Sequence, residues 1–250
     1  ALQQKFIGIV GPVQNDVGVK GGISITSFGV QAVLDARPDL GVAQRDLANG
    51  YNAVERENIM EEMEETGELN DIVVFTHTLL DPEAYVGMGS GIRLVTAPFR
   101  CEDGVHQGAI ESSWLFSLGT NRAFQNLRGR LVDCGGGVMA IIDDNYVFGP
   151  PRAIFPAIEL FAEDLKIGGL KFIHRKSQCY IAEEHRDTEW DELRGEIPNG
   201  TIEDADGTIH HGITVCNVPV GSDGYVERYL AKRLTRIKAG YRKISSLLDP

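Results

Sequence analysis

The stretch that decides the fold is residues 137–149, GVMAIIDDNYVFG. An apolar run on each side flanks Asp143, Asp144 and Asn145. Aspartate and asparagine are common in turns because their short side chains hydrogen-bond the local backbone. The pattern therefore predicts a β-hairpin with two adjacent carboxylates at its tip.

Two adjacent carboxylates repel each other unless a cation lies between them. Mg²⁺ prefers oxygen ligands and accepts substrate phosphates among them. Two such ions stabilise both the attacking and the leaving oxygen of a phosphoryl transfer. An exposed Asp-Asp-Asn turn without any function is the more frequent reading of this tripeptide alone.

Asp46 supplies a third carboxylate, at the end of a short run that predicts a buried strand over residues 41–47. A lone aspartate in this position is usually the cap of the next element. Here it is followed by a glycine turn, a long apolar helix over residues 110–127 and then the acidic hairpin. This order favours a metal-dependent site.

The rest of the chain alternates between helical and strand patterns, which predicts an α+β fold with helices on one face of an antiparallel sheet. The periodicity predicts helices over residues 23–36, 52–65, 71–80 (capped by Asp71), 150–167 and 222–247. Strands are predicted over residues 170–173, 178–181 and 212–219, a hairpin over 85–95 and a surface loop over 187–206.

Composition limits the possible functions of this 250-residue chain. A net charge of −12 argues against a protein whose whole surface binds nucleic acid, but allows a local basic groove. The four cysteines form no Cys-x-x-Cys pair, which predicts buried reduced thiols in an intracellular, cytoplasmic or nuclear, protein. No run approaches the ~18 apolar residues of a membrane span. The absence of an initial Met suggests a fragment or a processed product.

The motifs resemble, in order, those of a reverse transcriptase palm domain of the retroelement-like kind. Residues 44–60, QRDLANGYNAVERENIM, resemble the first catalytic motif, and residues 102–116 resemble its Gly-x-x-Gln-Gly motif. Residues 167–180 resemble the lysine motif, and residues 212–230 resemble the hairpin and helix that grip the primer. Residues 12–25 resemble the segment that precedes the palm.

The resemblance implies an RNA-directed DNA polymerase with two Mg²⁺ or Mn²⁺ ions on Asp46, Asp143 and Asp144. Lys176 would face the triphosphate. The implied partners are an RNA or DNA template-primer and deoxynucleoside triphosphates.

The resemblance also implies how the substrates are selected. Tyr51 would be the aromatic gate that excludes a ribose 2′-hydroxyl. Gly104, Gln107 and Gly108 would lie against the template and the incoming base.

The implied organisation is a polymerase palm with partial fingers. Residues 1–40 would be the partial fingers, residues 41–182 the palm with its metal site, and residues 183–250 an acidic loop, a primer-grip-like hairpin and a C-terminal helix.

The chain departs from the family pattern at several positions. Ile141 replaces an aromatic residue, and Ala109-Ile110 replaces the Asp-Pro that often follows the Gln-Gly pair. Basic fingers residues that would grip the triphosphate are not recognisable upstream. Two alternatives therefore stay open: a catalytically inactive palm-like domain that binds nucleic acid or protein or persists as a retroelement remnant, and an RNA-dependent RNA polymerase.

Overall fold

The structure is a computed structural model that describes residues 2–15, 18–81, 83–88, 95–100, 102–109 and 111–248. For residues 83–88, 95–100 and 245–248 it describes the backbone alone. The helices are α1 (Leu2–Val10), α2 (Gly22–Ala36), α3 (Gly50–Ala53), α4 (Arg56–Thr66), α5 (Asn70–Leu79), α6 (Ser112–Val132), α7 (Pro151–Ile167), α8 (Thr188–Leu193) and α9 (Asp223–Leu248). The strands are β1 (Gly41–Asp46), β2 (Glu83–Met88), β3 (Val95–Arg100), β4 (Gly137–Ile141), β5 (Asp144–Gly149), β6 (Gln178–Tyr180), β7 (Thr201–Glu203), β8 (Ile209–Val215) and β9 (Val218–Gly221).

A central antiparallel sheet in the order β4-β5-β1-β6 organises the molecule. Side chains of a strand alternate between its two faces. Ala43 and Leu47 belong to the larger core that α6 and α7 close, while Val42 belongs to a smaller core with α2 and the β8–β9 hairpin. Alternation therefore places Arg45 on the first face and Asp46 on the second. The predicted α+β palm is confirmed, with the two longest core helices on one face of the sheet.

The prediction of one continuous helix over residues 52–65 is wrong, because Val54 and Glu55 separate α3 from α4. Val54 is fully buried with extended backbone, and the N–H of Glu55 donates to the carbonyl of Gly168. The predicted cap Asp71 is also wrong, since α5 begins at Asn70 and Leu69 occupies the cap position. Tertiary contacts, not local capping, set these two helix starts.

The region predicted as a surface loop, residues 187–206, contains α8 and β7. Trp190 anchors it, because its indole is buried against Phe155 and donates to Asn199. The predicted strand over residues 170–173 is reduced to one bridge between Phe172 and Leu47.

The single strand predicted over residues 212–219 is a hairpin of β8 and β9. Cys216 and Asn217 form its turn, with φ of 50° and 66°. Two consecutive positive φ values match the twist of a tight hairpin. Cys134 is exposed, which corrects the prediction of buried cysteines, whereas Cys179 is buried.

The predicted hairpin over residues 85–95 is present as β2 paired with β3, and its turn, residues 89–94, lies outside the described residues. The same holds for Cys101. The division of the chain at residues 40 and 182 stays a prediction. In the described part of the chain, no helix is long and apolar enough to cross a membrane.

Candidate active site

The acidic end of the central sheet is built by strand register. Asp46 at the end of β1 lies directly opposite Asp144 at the start of β5. Both residues line a cleft of about 410 Å³, together with Lys176 of the segment before β6 and Cys216 and Asn217 of the β8–β9 turn. The register thus brings carboxylates that are about a hundred positions apart in sequence into one cleft.

The turn that carries Asp143 differs from the predicted one, because its two residues are Ile142 and Asp143 while Asp144 already pairs within β5. Ile142 adopts φ 56°, a conformation that is costly for a β-branched residue by roughly 1–3 kcal/mol. Gln14, which is 2% exposed, holds this turn. Its Oε1 accepts from the N–H of Ile142 at 3.1 Å, and its Nε2 donates to the carbonyl of Ile142 at 3.3 Å. Ala140 of β4 pairs with the same N-terminal segment, which fixes Gln14 in place.

Asn145 connects the two halves of the acidic end. It is fully buried, and its Nδ2 donates to the carbonyl of Asp143 at 2.9 Å and to the carbonyl of Arg45 at 3.2 Å. These carbonyls belong to the turn and to the residue before Asp46. One side-chain amide therefore sets the spacing between β1 and the hairpin turn.

Lys176 lies in a short segment whose backbone is hydrogen-bonded to the end of β1. The N–H of Ile173 donates to the carbonyl of Asp46 at 2.8 Å, and the N–H of Ala48 donates to the carbonyl of Lys171 at 2.8 Å. The Lys176 Nζ lies 3.0 Å from the Asp46 Oδ2, although two thirds of its side chain is exposed. The lysine is thus an ion-pair partner of the candidate metal ligand.

The charged groups at this end of the sheet shift each other's pKa. Burial, followed by the charge of Asp46, raises the pKa of Asp143 above its ordinary value. Burial, followed by the charge of Asp143, raises the pKa of Asp144. The hydrogen bond to Asp46 and its charge raise the pKa of Lys176. A second cation near the pair would relieve the repulsion that Lys176 leaves in place.

Carboxylates that raise each other's pKa suit a hard divalent cation in their chemistry and backbone placement. The Asp46 side chain, however, pairs with Lys176. Within the described ranges, no three His, Cys, Asp or Glu side chains stand close enough together to hold a metal ion. The residues therefore fit a divalent metal in the type of ligand atoms that they offer.

Tyr51 lies in the packing between α3 and α6. Its hydroxyl is 2.9 Å from the Ser113 Oγ, and its ring stacks on Phe116 with centroids 5.3 Å apart. Gly50 beside it leaves room for Asp143, whose Cβ would be 3.6 Å from a Cβ built on Gly50. Tyr51 is therefore near the acidic turn, while its role as a gate stays a prediction.

The Gly-x-x-Gln-Gly segment lies against α3. The N–H of Gly104 donates to Val54, and the N–H of Val105 donates to the carbonyl of Tyr51 at 2.6 Å. Gln107 and Gly108 are exposed beyond this contact. The segment thus has a buried anchor and an accessible end.

Replacing Gly104 by alanine is expected to destabilise the protein by about 3 kcal/mol, and replacing Gly108 by about 1 kcal/mol. Both glycines have left-handed φ, 76° and 94°. A Cβ on Gly104 would lie 2.6 Å from the backbone of Asn52, whereas one on Gly108 meets nothing within 4 Å. Urea unfolding of the two variants checks the difference, and equal losses would contradict the anchoring role.

No model of a known protein family and no curated protein sequence matches the chain. Solved telomerase structures are similar to it. Apo telomerase from Candida tropicalis superposes with a TM-score of 0.58 at 13% identity over 73% of this chain and 35% of that one. A form truncated from its C-terminal domain gives 0.54 at 13% identity over 73% and 39%. The same telomerase with the TWJ fragment of telomeric RNA gives 0.52 at 14% identity over 73% and 33%.

The chain thus spans about a third of the length of these telomerase chains. At such identity the likeness shows a shared fold. It agrees with the palm-like arrangement of the central sheet.

Gln14 and Asn145 are the positioning residues that the sequence patterns missed. Asn145 was interpreted as part of the turn, because Asp-Asp-Asn is a turn composition. Gln14 carries no local signal, since its contacts with Ile142 span 128 positions.

Proposed function

We propose that the chain is a palm domain that performs RNA-directed DNA synthesis, with Asp46, Asp143 and Asp144 as catalytic metal ligands and Lys176 as a further catalytic residue. The observation that carries the proposal is the register of β1 and β5, which places Asp46 opposite Asp144 beside Lys176 in one open cleft.

Two bound Mg²⁺ or Mn²⁺ ions would lower the pKa of a primer 3′-hydroxyl and stabilise the departing pyrophosphate. The three aspartates would hold these ions. The Lys176 Nζ, released from Asp46, would neutralise charge on the triphosphate or protonate the leaving group. Tyr51 would exclude a 2′-hydroxyl by its shape.

The substrates proposed for this cleft are a deoxynucleoside triphosphate and an RNA or DNA template-primer. Gln107 and Gly108 would contact the template from the accessible end of their loop. Helix α9 offers a basic face inside an acidic molecule, and phosphate backbones are bound mainly by such residues. Its residues 229–248 carry no Asp or Glu, and their basic residues are Lys232, Arg233, Arg236, Lys238, Arg242 and Lys243.

Primer extension on an RNA template with Mg²⁺ or Mn²⁺ tests the proposal. We expect template-dependent incorporation of deoxynucleotides that stops when the metal is chelated. Absence of extension under both metals, with the chain folded, would reject polymerase activity. Incorporation of ribonucleotides in preference would indicate an RNA-dependent RNA polymerase, and Tyr51→Ala would then leave that preference unchanged.

Replacing Lys176 by methionine is expected to move metal affinity and activity in opposite directions. Removing the ammonium frees the Asp46 Oδ2, so Mn²⁺ affinity should rise about twofold to fivefold. Extension should fall by about 10²-fold because the triphosphate loses a contact. Calorimetry and primer extension measure the two effects, with Lys171→Met, an exposed lysine of the same segment, as the matched control. Parallel losses of both would contradict the competition.

The raised pKa of Asp143 and Asp144 predicts a pH-dependent response to metal. A carboxyl group with a higher pKa in the folded state contributes most to stability at low pH. That contribution declines as the pH rises from the ordinary aspartate pKa of 3.8 to above the raised pKa of the folded state. Mn²⁺ is therefore expected to raise the melting temperature by about 2–4 °C at about pH 7 and by much less at about pH 4.5. Calorimetric melting curves at both values check this, and an equal shift would contradict it.

A non-catalytic binding module is the second candidate, favoured by the ion pair between Asp46 and Lys176 and by the net charge of −12. Calorimetry with Mg²⁺ and a deoxynucleoside triphosphate separates the two functions. A binding module would show no metal-dependent nucleotide binding.

A further inference from the structure

A second cleft lies on the face of the sheet opposite to the aspartates. Its volume is about 860 Å³, and it runs between α7 and residues 193–197 after α8. Apolar side chains make up much of its wall, among them Phe155, Ile158 and Ile197. Its volume falls within the range of sites for small organic molecules, and the cleft is half open to solvent.

Arg45 lines this cleft as a buried cation. It is 4% exposed, and its guanidinium carbon lies 4.3 Å from the centre of the Phe172 ring. Its Nε has no hydrogen-bond partner, and in the part of the chain that the structure describes no carboxylate pairs with it. A buried charge without an ionic partner is unfavourable, and a cation–π contact such as that with Phe172 offsets only part of the cost. The side chain thus has the donors and the charge to bind an anion.

The other charges of the cleft narrow the choice of anion. Arg194 is already engaged, since its Nε donates to Asp191 at 2.8 Å. Three exposed glutamates line the cleft and repel a polyanion more strongly than a monoanion: Glu159, Glu196 and Glu163, which pairs with Lys166 at 3.5 Å. The buried arginine would bind one negative charge, and the apolar walls would bind an apolar chain. The cleft therefore suits an apolar molecule that carries a single negative charge.

We propose that this cleft binds a small monocarboxylate with an apolar chain, whose carboxylate pairs with the Arg45 guanidinium. Planar guanidinium and carboxylate groups form such pairs through two parallel hydrogen bonds. The apolar chain would lie against Phe155 and Ile158. This binding is independent of the proposed polymerase activity, because Arg45 and Asp46 face opposite sides of β1.

Calorimetric titration of the full chain with octanoate, octanol and octyl phosphate tests the proposal. We expect octanoate to bind at least about tenfold more tightly than octanol and octyl phosphate. Equal binding of octanol would overturn the role of the charge. Tighter binding of octyl phosphate would overturn the assignment of a monocarboxylate.

Arg45→Met provides the second arm of the experiment. The variant should bind octanoate at least about tenfold more weakly and melt at the same or a higher temperature, because a buried unpaired cation is removed. Arg152→Met is the matched control, since that arginine lies exposed on α7 and pairs with Glu189. Unchanged octanoate binding by folded Arg45→Met would overturn the proposal. If Arg45→Met does not fold, the comparison of octanoate with octanol on the unmodified chain decides.

Discussion

Replacing Asp46 by asparagine is expected to reduce primer extension by about 10³-fold or more. Asp46 is the residue that β1 places between Lys176 and the acidic hairpin, and it is 8% exposed. Asparagine keeps its size but removes the charge that a divalent cation requires. The loss of one preorganised electrostatic contact in an active site typically costs 10²–10³-fold in rate, and a ligand shared by two metals should cost more.

Primer extension and urea unfolding, measured on the same preparation, distinguish a chemical from a structural effect of Asp46→Asn. Asp39→Asn is the matched control, because Asp39 is an exposed carboxylate that pairs with Arg37 before the same strand. We expect the control to extend primers as the unmodified chain does. Near-normal extension by folded Asp46→Asn would reject the metal site.

The parts of the site that could be predicted from the sequence are those that short runs of apolar and polar residues specify. The apolar runs on each side of Asp143 and Asp144 specify a hairpin, because a strand alternates over few residues. The run that ends at Asp46 specifies a strand in the same way. Alternation then decides that Asp46 and Asp144 share a face once their register is known.

The remaining parts depend on contacts that no short pattern encodes. Ile142 has a φ of 56°, which is unfavourable for isoleucine. The buried amide of Gln14, 128 positions away in the sequence, stabilises this conformation. The break before α4 follows from the burial of Val54 and the bond from Glu55 to Gly168. Tertiary contacts override local propensity in each case, which is why a helix with a good amphipathic pattern was predicted as continuous.

The ion pair between Lys176 and Asp46 gives these observations a common physical meaning. Burial raises the pKa of Asp143 and Asp144, so the hairpin carboxylates are unfavourable as they stand at neutral pH. Lys176 offsets only part of this charge, and it does so from a largely exposed position. The acidic end of the sheet therefore keeps a repulsion between its carboxylates, and a bound cation would reduce it.

Replacing Asn145 by alanine is expected to lower the free energy of unfolding by about 2–4 kcal/mol. The Asn145 Nδ2 donates to the carbonyls of Asp143 and Arg45, at 2.9 and 3.2 Å, and the side chain is fully buried. Alanine leaves both carbonyls without this donor, and each lost bond to a buried group costs about 1–3 kcal/mol. Since a domain is stable by only about 5–15 kcal/mol, the loss should be evident in urea unfolding.

The same substitution should also weaken Mn²⁺ binding by about tenfold or more, because the spacing between Asp46 and Asp143 is no longer fixed. Asn126→Ala is the matched control, since Asn126 is exposed and its Nδ2 donates to partly buried Asp164 on the helical side of the molecule, at 3.4 Å. Calorimetric titration with Mn²⁺ in the absence of urea, on folded protein, measures the Mn²⁺ affinity separately from stability. A variant that loses stability but keeps full Mn²⁺ affinity would show that Asn145 serves the fold alone. Because Asn145 donates to the carbonyls of Arg45 and Asp143, next to Asp46 and in the acidic turn, we expect stability and affinity to fall together.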